Sequence, residues 1–129
     1  MLLLIDAHVP DDIAEVFRAR GHDLVLARDE FADGTPDEVL AQWGHEERAV
    51  FVTWDRDVRR DFARRYVQGE RNRFYNLSRI SFAHLAVGHA VRRIENLIDL
   101  IEFEYAQVQQ LSDRRLLMEI TAERYTVYR

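Results

Sequence analysis

The chain has 129 residues, 47% hydrophobic and 32% charged, with a net charge of −5 and no cysteine. This length and balance predict a single globular domain over residues 1–129, able to bury a core without disulfides or a structural metal. Thiol catalysis and cysteine zinc sites are excluded, and no apolar run approaches the ~18 residues of a membrane span.

Leu2–Ile5 is a short all-apolar run, as in a strand buried on both faces. It is too short for a signal peptide, lacks a basic leader and stops at an acid, so a cytoplasmic protein is expected. After Pro10, residues Ile13, Val16 and Phe17 recur at helical spacing. Asp11, Asp12 and Glu15 suit the positive start of that helix, Arg18 and Arg20 its end, and Gly21 stops it. Leu24–Ala27 reads as a second strand and Arg28–Gly34 as a loop. Thr35-Pro36-Asp37-Glu38 predicts a helix start, with Thr35 as N-cap and Glu38 closing a capping box. That helix turns Val39, Leu40 and Trp43 inward and frays near Glu46–Glu47.

Ala49–Trp54 is a third strand, after which Asp55 or Asp57 caps a helix with apolar points at Val58, Phe62 and Tyr66. Gln68–Ser78 is polar and irregular, and Arg79–Phe82 is a fourth strand. From His84 to Gln110 runs one long helix, with Val87, Val91, Ile94, Ile98, Ile101, Tyr105 and Val108 at spacings of three and four. At ~1.5 Å per residue it would be ~40 Å long, more than a domain of this size covers. Its outer end is therefore expected to support a homodimer or higher homo-oligomer. Leu116–Ile120 and Tyr125–Tyr128 read as a closing hairpin. The order predicts an α/β fold: a mainly parallel sheet, right-handed crossovers and helices on both faces.

Lysine is absent, so all 18 cations are arginine, and no mechanism that needs a lysine operates in this chain. Residues 1–55 carry 13 acids and 4 arginines, whereas residues 56–93 carry 3 acids and 10 arginines. A metal site beside a phosphate-binding surface needs such an asymmetry. Asp6, Asp37, Asp55 and Asp57 all stand where strand gives way to helix. Strand ends are where an open α/β sheet places its ligand crevice. Carboxylates gathered there repel one another unless a hard cation such as Mg²⁺ or Mn²⁺ lies between them. That constellation points to phosphodiester chemistry, with Arg56, Arg59, Arg60, Arg71 and Arg73 as candidates to hold RNA phosphates.

Plainer roles exist for the same residues. Asp6 suits a strand-end turn, Asp37 a helix dipole, and Glu38 a capping box. One of Asp55 and Asp57 suffices as an N-cap, and the arginines from 56 to 65 suit a solvated helix face. His8 fits loop packing, His84 and His89 a structural role, and Trp43 and Trp54 the core or a wall. His22 and His45 show no zinc-ligand pattern. Phe74 and Tyr75, between basic residues, are the better candidates for stacking RNA bases.

Leu3-Leu4-Ile5-Asp6-Ala7-His8-Val9-Pro10, Arg20-Gly21-His22-Asp23, Gly34-Thr35-Pro36-Asp37-Glu38 and Val52-Thr53-Trp54-Asp55-Arg56-Asp57 follow in order within the first ~60 residues. In this ordered set the chain resembles the compact PIN-like domains, which are related to the ribonuclease toxins of bacterial toxin–antitoxin pairs. The resemblance implies a three-layer α/β/α fold with a long C-terminal helix and a terminal β-hairpin. It also implies Mg²⁺- or Mn²⁺-dependent RNA cleavage. Asp6 and Asp55 would touch the metal directly, Asp37 would complete the set, and Asp57 would be an outer or additional ligand. A cognate antitoxin protein is the implied partner.

Ala7 and His8 replace the acid and amide common after the family's first aspartate. They motivate a second function, a non-catalytic module that binds RNA or a protein. Asp55-Arg56-Asp57 after a strand also suggests an aspartyl-phosphate enzyme. Those families generally neutralise the phosphoryl group with a lysine, which this chain lacks.

Overall fold

The computed structural model describes residues 1–54, 77–111 and 115–128. Its strands are β1 (Leu2–Ile5), β2 (Asp23–Leu26), β3 (Val50–Thr53), β4 (Ser78–Phe82), β5 (Leu117–Ile120) and β6 (Tyr125–Tyr128). The described helices are α1 (Asp11–Ala19), α2 (Ala27–Glu30), α3 (Asp37–Glu46) and α4 (Val87–Gln109). The strands form one sheet in the order β2-β1-β3-β4-β5-β6. β1 to β5 run parallel, and β6 closes the edge as an antiparallel hairpin with β5.

Period-two alternation divides the strands between two cores. Leu3, Ile5, Val50, Val52 and Ile80 face α1 and α4, where they meet Ile13, Phe17, Ile94 and Ile101. Leu4 and Phe51 face the other way, toward Ala27 of α2 and Leu40 and Ala41 of α3. Helix, sheet and helix thus make three layers, and β1 is wholly apolar because both its faces are covered. Phe17 and Phe51 are fully buried, and truncating either to alanine would cost about 3–5 kcal/mol.

Two helix ends share one device. After α1, Gly21 at φ 92 turns the chain, with N–H bonds from Gly21 to Arg18 and from His22 to Phe17. After α3, Arg48 does the same at φ 54, with bonds from its own N–H to His45 and from Ala49 to Gly44. Both are left-handed closures that satisfy the last carbonyls of a helix. The end of α3 is therefore closed by hydrogen bonds, where the sequence suggested fraying.

Several expectations need correction. The second strand ends at Leu26, and Ala27–Glu30 forms a single helical turn inside the stretch read as strand and loop. The capping box at Thr35 does not form. Pro36 is extended at ψ 146 and itself holds the N-cap position, and the Thr35 hydroxyl instead donates to the Ala32 carbonyl at 2.6 Å. Val39 points outward, 49% exposed. The buried face of α3 is Leu40, Ala41 and Gly44. A Cβ on Gly44 would come within 3.2 Å of Leu77, so the helix lies close along its glycine and turns Val39 away.

α4 begins at Val87, not His84, and its 23 residues span ~35 Å. Its buried positions run from Ala90 to Glu104, with Tyr105 and Val108 packed against the core beyond them. Phe103, at 56% exposed, is its most open apolar side chain. The helix expected after Asp55 or Asp57 and most of the Gln68–Ser78 stretch lie outside the described residues.

Candidate functional site

In the strand order, β2 lies on one side of β1 and β3 on the other. The chain's winding reverses there, and such a reversal opens a crevice at the carboxyl ends of the two central strands. Asp6 stands at that point. Its N–H donates to the Val52 carbonyl at 3.0 Å, continuing the β1–β3 ladder one residue past the strand. Its own carbonyl accepts from Val9 N–H at 3.0 Å, so residues 6–9 form a turn that leads into α1. Asp6 as a residue is 6% exposed, and its Oδ1 accepts the Ala7 N–H at 2.8 Å. Asp6 thus holds the strand-end turn, and its carboxylate is one of the few buried acidic groups.

Alternation puts the Asp6 side chain on the α3 side of the sheet, with Leu2 and Leu4. Ile5 pairs with Val52, Thr53 with Ser81, and Ser81 with Glu119. One further step of register therefore sets Asp6, Thr53, Ser81 and Glu119 in a transverse row. Thr53 is fully buried and Ser81 is 3% exposed, with the Ser81 hydroxyl donating to the Met118 carbonyl at 3.4 Å. Sequence reading passed over this row. Its signal was available: a hydroxyl residue ends β3, and another interrupts the apolar run of β4.

Asp37 is the first residue of α3 and is exposed, while Glu38 beside it is half-buried. α3 packs on the same face of the sheet that Asp6 occupies. Asp55 and Asp57 lie outside the described residues, as do Arg56, Arg59, Arg60, Arg71, Arg73, Phe74 and Tyr75. Among the described residues, no group of three His, Cys, Asp or Glu side chains is placed to hold a metal ion. Asp6, Asp37 and Glu38 carry only oxygen donors, the ligand chemistry that suits a hard divalent cation.

Around this rim, Trp54 is half-buried against Phe82, ring centroids 5.2 Å apart. His8 and His84 are both exposed. The opposite rim is held by ion pairs. Glu102 of α4 accepts from Arg20 Nε at 2.9 Å and lies 3.0 Å from His22 Nε2. Arg20 also pairs with Asp99, and His22 Nδ1 lies 3.1 Å from the N-terminal ammonium of Met1. An ammonium can only donate, so Nδ1 accepts and the Nε2–H of His22 points at Glu102. Burial, then the nearby ammonium, lower the His22 pKa; the bond from Arg20 lowers that of Glu102. This cluster ties the end of α1 to α4 and takes no part in the Asp6 crevice.

The family model described as a PIN-like domain matches residues 1–68, just over half of the chain. The match takes in β1 to β3 and all four aspartates singled out above. Neither the curated proteins nor the solved structures contain a match. No helix among the described residues is long and apolar enough to cross a membrane.

Proposed function

Because this chain belongs to the PIN-like domain family, a nuclease-type fold, we propose that it is a metal-dependent ribonuclease hydrolysing RNA phosphodiester bonds. The observation that carries the reading is Asp6: an acidic residue only 6% exposed at the switch point of a parallel sheet. Its partners in holding Mg²⁺ or Mn²⁺ would be Asp55, Asp57 and an acid of the first α3 turn, Asp37 or Glu38. When bound, the cation supplies charge neutralisation at the phosphate and a water of lowered pKa.

The rest of the work falls to the chain. The Ala7 N–H orients one Asp6 oxygen, and the β1–β3 ladder fixes the backbone that carries it. Arg56, Arg59, Arg60, Arg71 and Arg73 would grip flanking phosphates through bidentate contacts. In the cell the reading is a cytoplasmic type II toxin neutralised by a cognate antitoxin. Self-association would run through α4, on the face of the sheet opposite to Asp6.

The deciding experiment is cleavage of a labelled single-stranded RNA with Mn²⁺. Asp6→Asn and Asp55→Asn should abolish cleavage while circular dichroism stays unchanged; variants that cut as fast as the parent would refute the proposal. A second reading, a non-catalytic RNA- or protein-binding module, is favoured by the exposed Ala7-His8 pair. Calorimetry separates the two, since that module would bind RNA without binding millimolar Mn²⁺.

A further inference from the structure

β6 forms one edge of the sheet. On the β4 side of its neighbour β5, the Leu116 and Ile120 carbonyls accept the N–H groups of Arg79 and Ala83. On the β6 side, the Thr121 N–H donates to the Arg124 carbonyl at 2.9 Å. Backbone groups alternate sides along a strand, so Glu119 exchanges its bonds with Thr126, its register partner. Tyr125 and Val127 therefore turn their N–H and carbonyl groups outward, away from β5.

An edge of this kind templates pairing with another strand, and proteins usually blunt it with lysine, proline or an inward charge. β6 reads Tyr-Thr-Val-Tyr and carries none of these. Tyr125 is 45% exposed, and Thr126 is exposed beside it. At the other edge, β2 opens on Asp23 and runs straight into the charged turn of α2.

We propose that β6 is an interaction surface for a second copy of this chain, paired antiparallel across a twofold axis at Thr126. In that register the outward groups of Tyr125 and Val127 all find partners, Tyr125 of each copy exchanging bonds with Val127 of the other. Thr126 then lies opposite Thr126, and Tyr125 opposite Val127. Threonine pairs, and aromatic residues paired with β-branched ones, stabilise adjacent strands, so the edge is complementary to itself. Val127 already packs against the core on the α4 side, and the Tyr125 facing it extends that core over the seam. The strand contact carries the association, and α4 of each copy lies on the same face of the joined sheet. None of this depends on the ribonuclease reading.

The chain has no cysteine, so a single introduced thiol reports the contact. Opposed residues of a non-hydrogen-bonded antiparallel pair have Cα atoms about 4.5 Å apart, within disulfide reach. With oxidised glutathione, Thr126→Cys should form a disulfide-linked dimer at least ~10-fold faster than Phe103→Cys, another exposed position, on α4. Thr126→Lys sets like charges face to face and should weaken dimerisation about fivefold in sedimentation equilibrium, with an unchanged melting temperature. Equal linkage at the two positions, or faster linkage at Phe103→Cys, takes the contact off β6 and overturns the proposal. A Thr126→Lys protein that associates like the parent overturns it too, as does a parent that sediments as a monomer at every concentration.

Discussion

The N–H of Asp6 donates to the carbonyl of Val52 at 3.0 Å, so the last rung of the β1–β3 ladder is made by the residue that carries the buried carboxylate. Position and side chain are thereby separated: the backbone N–H holds the register, and the carboxylate accepts the Ala7 N–H. Asp6→Asn keeps the rung, and its amide oxygen can still accept the Ala7 N–H. We expect a melting temperature within a few degrees of the parent and at least ~100-fold slower RNA cleavage. Calorimetry should show Mn²⁺ binding lost in step. A folded Asp6→Asn protein with parental cleavage and metal affinity would remove the site.

The unmade capping box bears on which acid of α3 matters. Glu38 is half-buried and Asp37 exposed, so Glu38→Gln should reduce metal-dependent cleavage more than Asp37→Asn, by tenfold or more. Because Thr35 bonds Ala32 instead of capping α3, Thr35→Ala should leave α3 intact. An Asp37→Asn protein that is the more damaged of the two would assign the ligand to Asp37.

Two glycine exchanges should stabilise the fold for opposite reasons. Arg48 sits at φ 54 in the closure of α3, and Arg48→Gly relieves that strain by about 1 kcal/mol. Gly88 lies inside α4, and a Cβ there would meet nothing within 4 Å. Gly88→Ala should therefore add about 0.5 kcal/mol through helix propensity. Urea midpoints decide both, and a loss of stability in either variant contradicts the conformation assigned to that residue.

Stability should depend on pH through His22. Burial and the Met1 ammonium lower its pKa below the ordinary 6.5, so between the two values the unfolded chain binds more protons than the folded one. Stability then rises with pH across that window and is complete above pH 6.5. Below the window, Glu102 acts with the same sign. Its contribution is present above the ordinary 4.5 and is lost as pH falls through its lowered value. Urea unfolding between about pH 8 and pH 5 should show a decline on acidification that His22→Gln reduces. A decline of equal size in the variant would place the titration elsewhere.

The elements β1, α1, β3 and β4 and the hairpin strands were legible in the sequence to within a residue or two. Each is encoded locally, by an apolar run or a helical period bounded by an acid, a glycine or a proline. The PIN-like pattern and the place of Asp6 at a strand end were legible for the same reason. Local pattern misled where two short-range options compete, as at Thr35, whose hydroxyl serves a turn instead of a cap, and at Val39, which the close seat of Gly44 turns outward.

Pairing between distant segments was settled only by the tertiary structure. It sets β5 as a fifth parallel strand, brings His22 to Glu102, and aligns Asp6, Thr53, Ser81 and Glu119 in one row. A strand's own residues specify which of its two faces is buried. Which neighbour it takes, and in what register, depends on helices packing across both sides of the sheet, and that energy is shared by residues far apart along the chain.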